Sequence, residues 1–357
     1  MKKHFSKATP ISVILNLILI INVIIVVYPV LFTISSSLTK SNSLAATSVI
    51  PFTEQTDKST VETCEACDGK GYRYIDVKSS YKENGKTKTY IGQKLVDCNV
   101  CHGEGEVAVL KTSFKIKKPS LYQFRRLLTG SEQIVKGETT VHGTNYKNWY
   151  LNTLKIAIMN TILTVFICTT TGYIFSRFSF TGRKQIMAGM IVLQMFPSFI
   201  GMVATYVILW KFNALNTLWG LVLVYASGSI PFNAQLMKGY FDTMPRDIAE
   251  AAYIDGASPL VAYLRVILPA AKPQIVFLTL TSFTGPWMDY IFPRMVLRSD
   301  DKKTLAVGLY EMISGRSNDN FTMFAAGAIL VAVPFTIFFM AGQKTLLMSL
   351  AGTSGKE

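Results

Sequence analysis

The chain has 357 residues, half of them hydrophobic and only 16% charged, with a formal net charge of +14. Soluble domains carry about 25% charged residues, so the composition argues against a large soluble fold and for a chain built for the bilayer. The basic balance fits Lys and Arg gathered in the inner loops of a membrane protein, and no nucleic-acid-reading motif accompanies it, which argues against a nucleic-acid partner.

Residues 1–10 carry Lys2, Lys3 and Lys7 and read as a short cytoplasmic N-terminus. Residues 11–38 follow without a charge, a run longer than the ~20 residues a helix needs to span. Ser35-Ser36-Ser37 could mimic a signal-peptide cleavage region. A signal peptide has a shorter apolar region, however, and the rest of the chain is also apolar in blocks. Residues 39–150 are polar, rich in Lys, Thr and Gly, and predict an extracytoplasmic insert.

Five further runs are long enough to span: 156–176, 185–210, 212–237, 274–288 continuing to 293, and 321–343. Asp289 is the one ionisable group among them. Backbone groups in lipid must bond internally, so each run predicts a helix. The expectation is an all-α polytopic membrane protein of six transmembrane helices. Residues 151–345 form a five-helix core and 346–357 a cytoplasmic tail. Arg177, Arg183 and Lys184 fall on the same side as Lys238, Arg246, Arg265, Lys272, Lys344 and Lys356. That side is expected to be cytoplasmic, with both termini on it.

Polar groups inside spans mark transport pathways. The candidates are Asn160, Gln194, Asn233, Gln235, Trp287, Asp289 and Tyr290. The plainer readings are interfacial Trp and Tyr, and Asn and Gln bonding between helices.

Within the insert, Cys64-Glu65-Ala66-Cys67-Asp68-Gly69-Lys70-Gly71 and Cys98-Asn99-Val100-Cys101-His102-Gly103-Glu104-Gly105 repeat C-x-x-C-x-G-x-G. Two such knuckles, spanning 64–105, can enclose one tetrahedral zinc through Cys64, Cys67, Cys98 and Cys101. Disulfides are the competing reading on an oxidising face, and a free redox pair a third. His102 reads as a bystander and Cys168 as a small buried hydrophobe. Asn84-Gly85, between alternating segments, predicts a hairpin turn. The repeat resembles the zinc modules of J-domain co-chaperones, which carry four copies and two metals. Two copies imply one ion.

Residues 242–273 read as a helix, a glycine turn and a second helix. Asp242 or Thr243 can cap and Pro245 suits the first turn. Asp247 and Glu250 sit where the macrodipole favours carboxylates. Gly256 suits a left-handed cap, Ser258-Pro259 restarts a helix, and Pro269 closes it. Ile248, Ala251, Ala252 and Asp255 are expected on or near one side. By pattern alone, an ordinary amphipathic loop helix packed on its own protein is an equal reading.

Glu250-Ala251-Ala252, then Gly256, then Val266-Ile267-Leu268-Pro269 resembles the EAA loop of bacterial ATP-binding-cassette importer permeases, with Val266 where Ile is usual. Ile254-Asp255-Gly256-Ala257-Ser258 resembles the carbohydrate-uptake subfamily, which includes the second maltose-importer permease. Phe283, Trp287, Asp289, Gly308-Leu309, Phe324-Ala325-Ala326, Pro334 and Gln343 extend the likeness. It covers about residue 146 to the C-terminus plus the first span. The resemblance implies that Glu250, Ala251, Ala252, Asp255 and Gly256 contact an ATP-hydrolysing partner. It also implies two such subunits, a second homologous permease, an extracytoplasmic solute-binding protein and a bacterial cytoplasmic membrane. The chain has no G-x-x-x-x-G-K-[ST] loop, so ATP chemistry is expected elsewhere. A non-sugar solute, and a membrane-anchored zinc module acting as sensor or chaperone, are the competing functions.

Overall fold

The computed structural model describes residues 10–353 except 42–49, 65, 71, 84–85, 103, 105, 117, 136–137, 143 and 315–319. The chain forms two compact units: Ala45–Pro119, and a larger one from Met1–Leu44 with Ser120–Glu357.

In the smaller unit, β1 (Thr53–Thr63), β2 (Tyr72–Glu83), β3 (Lys86–Asp97) and β4 (Glu106–Ile116) make two antiparallel ribbons. β1 pairs with β4 from Thr53↔Ile116 to Thr63↔Glu106. β2 pairs with β3 from Tyr72↔Asp97 to Glu83↔Lys86. The closing pair leaves two residues for the expected Asn84-Gly85 turn, which lies outside the described residues. Each knuckle connects one ribbon to the other, so the ladders bring the two cysteine pairs together.

The larger unit is helical apart from one hairpin, β5 (Ser131–Val135) with β6 (Glu138–His142). α1 (Pro10–Ser37) leads into a segment that meets α2 (Tyr122–Thr129). Gln123 Nε2 donates to the carbonyls of Lys40 and Ser41, both at 3.0 Å. Ser120 N donates to Leu38 O at 3.0 Å. The compact insert is therefore narrower than residues 39–150, because α2 packs with the membrane helices α3 and α13.

α3 (Tyr146–Arg177) begins earlier than the apolar run and packs along α6 (Leu218–Thr243). Gly172 permits the approach: a Cβ there would lie 2.6 Å from Met237 Cβ and 2.9 Å from the Lys238 nitrogen. At one end, Arg177 Nη2 donates to Phe241 O at 3.0 Å and Met244 O at 2.9 Å, capping α6 from α3.

The expected helix over 185–210 is two, α4 (Arg183–Met195) and α5 (Ser198–Lys211), bent by 106°. Pro197 is the cause. The residue before a proline is pushed out of the helical region, and Phe196 has ψ 130°. The expected run from 212 starts instead at Leu218. Asn213 and Asn216 hold left-handed turns, and Thr217 Oγ1 caps by accepting from Gly220 N at 3.3 Å. α6 then continues past Met237 to Thr243.

α7 (Asp247–Ile254) and α8 (Pro259–Ala262) follow, then a π turn over Tyr263–Ile267, α9 (Leu268–Ala270) and α10 (Lys272–Met288). The helix expected to reach residue 293 stops at Met288. Asp289 turns extended, with ψ 123°, and its Oδ1 accepts from Phe292 N at 3.4 Å. This caps α11 (Ile291–Val296). A 3₁₀ turn over Asp300–Lys302, α12 (Leu305–Ile313) and α13 (Phe321–Thr353) complete the chain.

Among the described residues, three helices are long and apolar enough to cross a membrane, and two bent pairs raise this to five. The pairs are α4 with α5, and Pro259–Ala270 with α10, the latter bent by 78°. α6 has 26 residues, about 39 Å of helix. It is long enough, but Ser227, Ser229, Asn233 and Gln235 make it less apolar. With it the fold is the expected all-α polytopic membrane protein carrying a small β insert.

Candidate functional site

The loop between α6 and α10 departs from expectation at its start. Asp242 and Thr243, expected as caps, belong to the last turn of α6. Thr243 Oγ1 donates to Tyr240 O at 2.7 Å, and Asp242 accepts from Ser176 Oγ at 2.7 Å. Pro245 precedes α7 instead of opening it, and Arg246 takes the N-cap position without a side-chain bond. Asp247 and Glu250 lie in the first turn.

The other end matches local chemistry. Gly256 has φ +83°. Its N–H bonds Tyr253 O at 3.0 Å, and Ala257 N bonds Ala252 O at 2.9 Å, the paired bonds of a Schellman cap. Ser258 Oγ accepts from Val261 N at 3.4 Å, and Pro259 takes the first turn of α8. Pro269, expected to close the helix, sits inside its final turn, which ends at Ala270. The π turn just before it bonds Leu268 N to Tyr263 O, five residues apart, and widens the helix where the proline ring would crowd it.

Glu250, Ala251, Asp255 and Gly256 are exposed. Ala252 turns inward with Ala249, three residues away on the packed side of α7. The expected shared face of Ile248, Ala251, Ala252 and Asp255 is therefore split. Ile254, 86% exposed, and Leu260, 65% exposed, leave an apolar surface on the turn.

The polar candidates inside spans separate into groups. Asn160 is buried and bonded, donating to Ser282 O at 2.8 Å and accepting from Thr164 at 3.3 Å, which joins α3 to α10. Gln194 is exposed on α4 and donates back to Met190 O. Asn233 and Gln235 are half-buried on α6, and Gln235 Nε2 has no partner among the described residues. Asp289 accepts from Tyr225 Oη at 2.8 Å across to α6. Trp287 and Tyr290 converge on a cavity of ≈ 310 Å³ with Leu305, Tyr310 and Phe324. The buried Trp287 Nε1 has no partner among the described residues.

One residue with a positioning role carried no signal in the sequence. Asn216 Oδ1 accepts from Arg298 N and Ser299 N, both at 3.1 Å, pinning the segment after α11. Its φ of 58° is left-handed, a conformation that Asn tolerates.

In the insert, Cys64, Cys67, Cys98 and Cys101 are buried, and their sulfurs all lie within 4.8 Å of one another. Cys64 and Cys98 are 3.8 Å apart, Cys67 and Cys101 3.7 Å. Both separations far exceed the about 2.05 Å of a disulfide. A tetrahedron of thiolates about 2.3 Å from a metal has edges of about 3.8 Å, so the cluster fits a metal ion. The N–H groups of Cys101 and Val100 point at the Cys98 sulfur and hold its thiol down at about 6, outweighing burial. Asp68 and His102 take the same left-handed turn in the two knuckles, with φ 48° and 52°. His102 is exposed and outside the cluster. Cys168 is buried in α3, as expected of a small hydrophobe.

A family profile described as the binding-protein-dependent transport system inner membrane component matches residues 168–346, leaving the insert outside. The chain is 42% identical over 214 residues to the maltodextrin transport system permease protein MdxG of Bacillus subtilis, covering 59% of this chain and 77% of that protein. It is 35% identical to the galactooligosaccharides transport system permease protein GanQ of the same organism, over 70% and 85%. The maltose/maltodextrin permease MalG of Vibrio vulnificus is 34% identical, over 65% and 80%. In fold, the chain is similar to a solved bacterial ABC transporter involved in the import of the acidic polysaccharide alginate. That likeness has TM-score 0.64 and 18% identity and covers 96% of this chain and 99% of the other. The chain therefore belongs to the binding-protein-dependent transport system inner membrane components, a family of multi-pass transport permeases.

Proposed function

We propose that this chain is the permease subunit of an ATP-driven importer for a sugar or oligosaccharide. The α7–Gly256–α8 turn carries the reading. It is exposed, has an apolar tip at Ile254 and Leu260, and lies inside the family match. Glu250, Ala251, Asp255 and Gly256 would contact the ATP-binding subunit, with Ala252 supporting them from beneath. The turn and both termini would be cytoplasmic, in keeping with the Lys and Arg of the short loops. The assembly would contain a second homologous permease, two ATP-binding subunits and an extracytoplasmic binding protein. ATP-driven closure of those subunits moves the turn, and the spans rock between inward and outward access.

The relatives' names, maltodextrin, galactooligosaccharides and maltose, support a saccharide cargo. Tyr290 offers a ring face on which a sugar can stack, and Trp287, buried beside the same cavity, offers an Nε1 donor with no partner among the described residues. Asn160, Gln194, Asn233 and Asp289 are retained as weaker pathway groups. The test is reconstitution with a second permease, ATP-binding subunits and a binding protein from a maltodextrin importer. Maltodextrin should accelerate ATP hydrolysis and enter the vesicles. A binding protein whose ligand is not a saccharide would overturn the cargo.

The metal of the insert is zinc on this reading, held by Cys64, Cys67, Cys98 and Cys101 in a closed structural site. Purified protein should carry about one zinc per chain, measured by elemental analysis. Cys64→Ser with Cys98→Ser should abolish it. Metal-free native protein with its thiols oxidised would assign disulfides instead.

A further inference from the structure

Tyr263 opens the π turn that comes after α8, and its side chain leaves the loop to enter the packing around α3. The residue is buried, and its ring lies 4.6 Å from that of Tyr173, tilted by 30°. Its hydroxyl stands 3.3 Å from Thr169 Oγ1 and 3.3 Å from Thr170 Oγ1. Thr169 commits its proton to Val165 O at 2.6 Å. Tyr263 must then donate to Thr169 and accept from Thr170. The result is a one-way chain from Thr170 through Tyr263 and Thr169 to the α3 backbone.

α3 at this level is already fixed to α6. Gly172 allows contact with Met237, and Arg177 and Ser176 bond the end of α6. Whatever moves Tyr263 therefore moves α3 and α6 together. A π turn is a common device where a helix must serve function at a cost in regularity. Here it falls between the exposed tip and the buried ring.

We propose that Tyr263 is the positioning residue that passes displacement of the α7–α8 turn into α3, through its hydroxyl bonds to Thr169 and Thr170. The proposal rests on the permease reading above. The hydroxyl matters apart from the ring, because a phenyl group would keep the stacking and the burial while releasing the two threonines.

The experiment uses the reconstituted importer and reads maltodextrin uptake per ATP hydrolysed. Tyr263→Phe should lower that ratio by about five- to thirtyfold, the size of two neutral hydrogen bonds, with the amount of assembled complex unchanged. The double variant Thr169→Val, Thr170→Val should lower it similarly. The triple variant should be no worse than either, because all three act through one link. An unchanged ratio in Tyr263→Phe, or losses that add, would overturn the proposal. So would an equal fall in uptake and hydrolysis, which marks weakened docking or packing. If the native chain itself fails to couple hydrolysis to uptake, the permease reading fails, which is a different result.

Discussion

Gly256 shows how one backbone angle can hold a docking surface in place. Nothing lies within 4 Å of where its Cβ would be, so space does not dictate the glycine. Its φ of +83° does. A branched residue there costs about 1–2 kcal/mol, and the Schellman cap that aims α8 away from α7 opens. Gly256→Val is expected to cut uptake about tenfold at normal membrane abundance. Immunoblotted membranes and labelled-sugar uptake check this, and undiminished uptake would remove Gly256 from the coupling path. This residue was legible because a left-handed cap has a local chemical signature. Asp289 was not. Its neighbours are apolar, and composition alone cannot show that its carboxylate turns to Tyr225 and caps the next helix.

At the scale of elements, the decisive contact is α3 against α6. Two helices can lie this close only where one lacks a side chain. A Cβ at Gly172 would press on the Lys238 backbone nitrogen, which cannot rotate away. Gly172→Leu should destabilise the permease by about 1–3 kcal/mol. A lowered melting temperature in detergent would register it. An unaltered one would mean the helices can part freely at this crossing. The sequence marked the apolar runs well and their ends poorly. Pro197 divides one run by a steric rule that could have been applied. The start of α6 depends on Asn213, Asn216 and Thr217, whose turn and cap no apolarity count registers. The inward turn of Ala252 depends on which side of α7 meets the protein, and spacing alone does not choose that side.

Over the whole molecule, the spacing of the cysteines foretold their convergence, because two like knuckles between paired strands can meet. The extent of the insert was less visible. α2 reads as polar chain until Gln123 is seen reaching Lys40 and Ser41. Since Leu38 and Ser120 are joined directly, the segment Ala45–Pro119 should be replaceable by a short Gly/Ser linker. The shortened chain is expected to reach the membrane and support uptake with the same partners. Loss of uptake at normal abundance would give the insert a direct part in transport.

The bond between Leu38 and Ser120 also has a thermodynamic side. It closes a loop of about 80 residues, where a direct connection would need about 8, and for a flexible chain the extra loop-closure entropy costs about 2 kcal/mol. The paired ribbons remove most of that freedom, and a metal bound by the four cysteines would remove more. An ion held in the insert would thus reduce the entropy that opposes keeping α1 seated at the end of the helical unit.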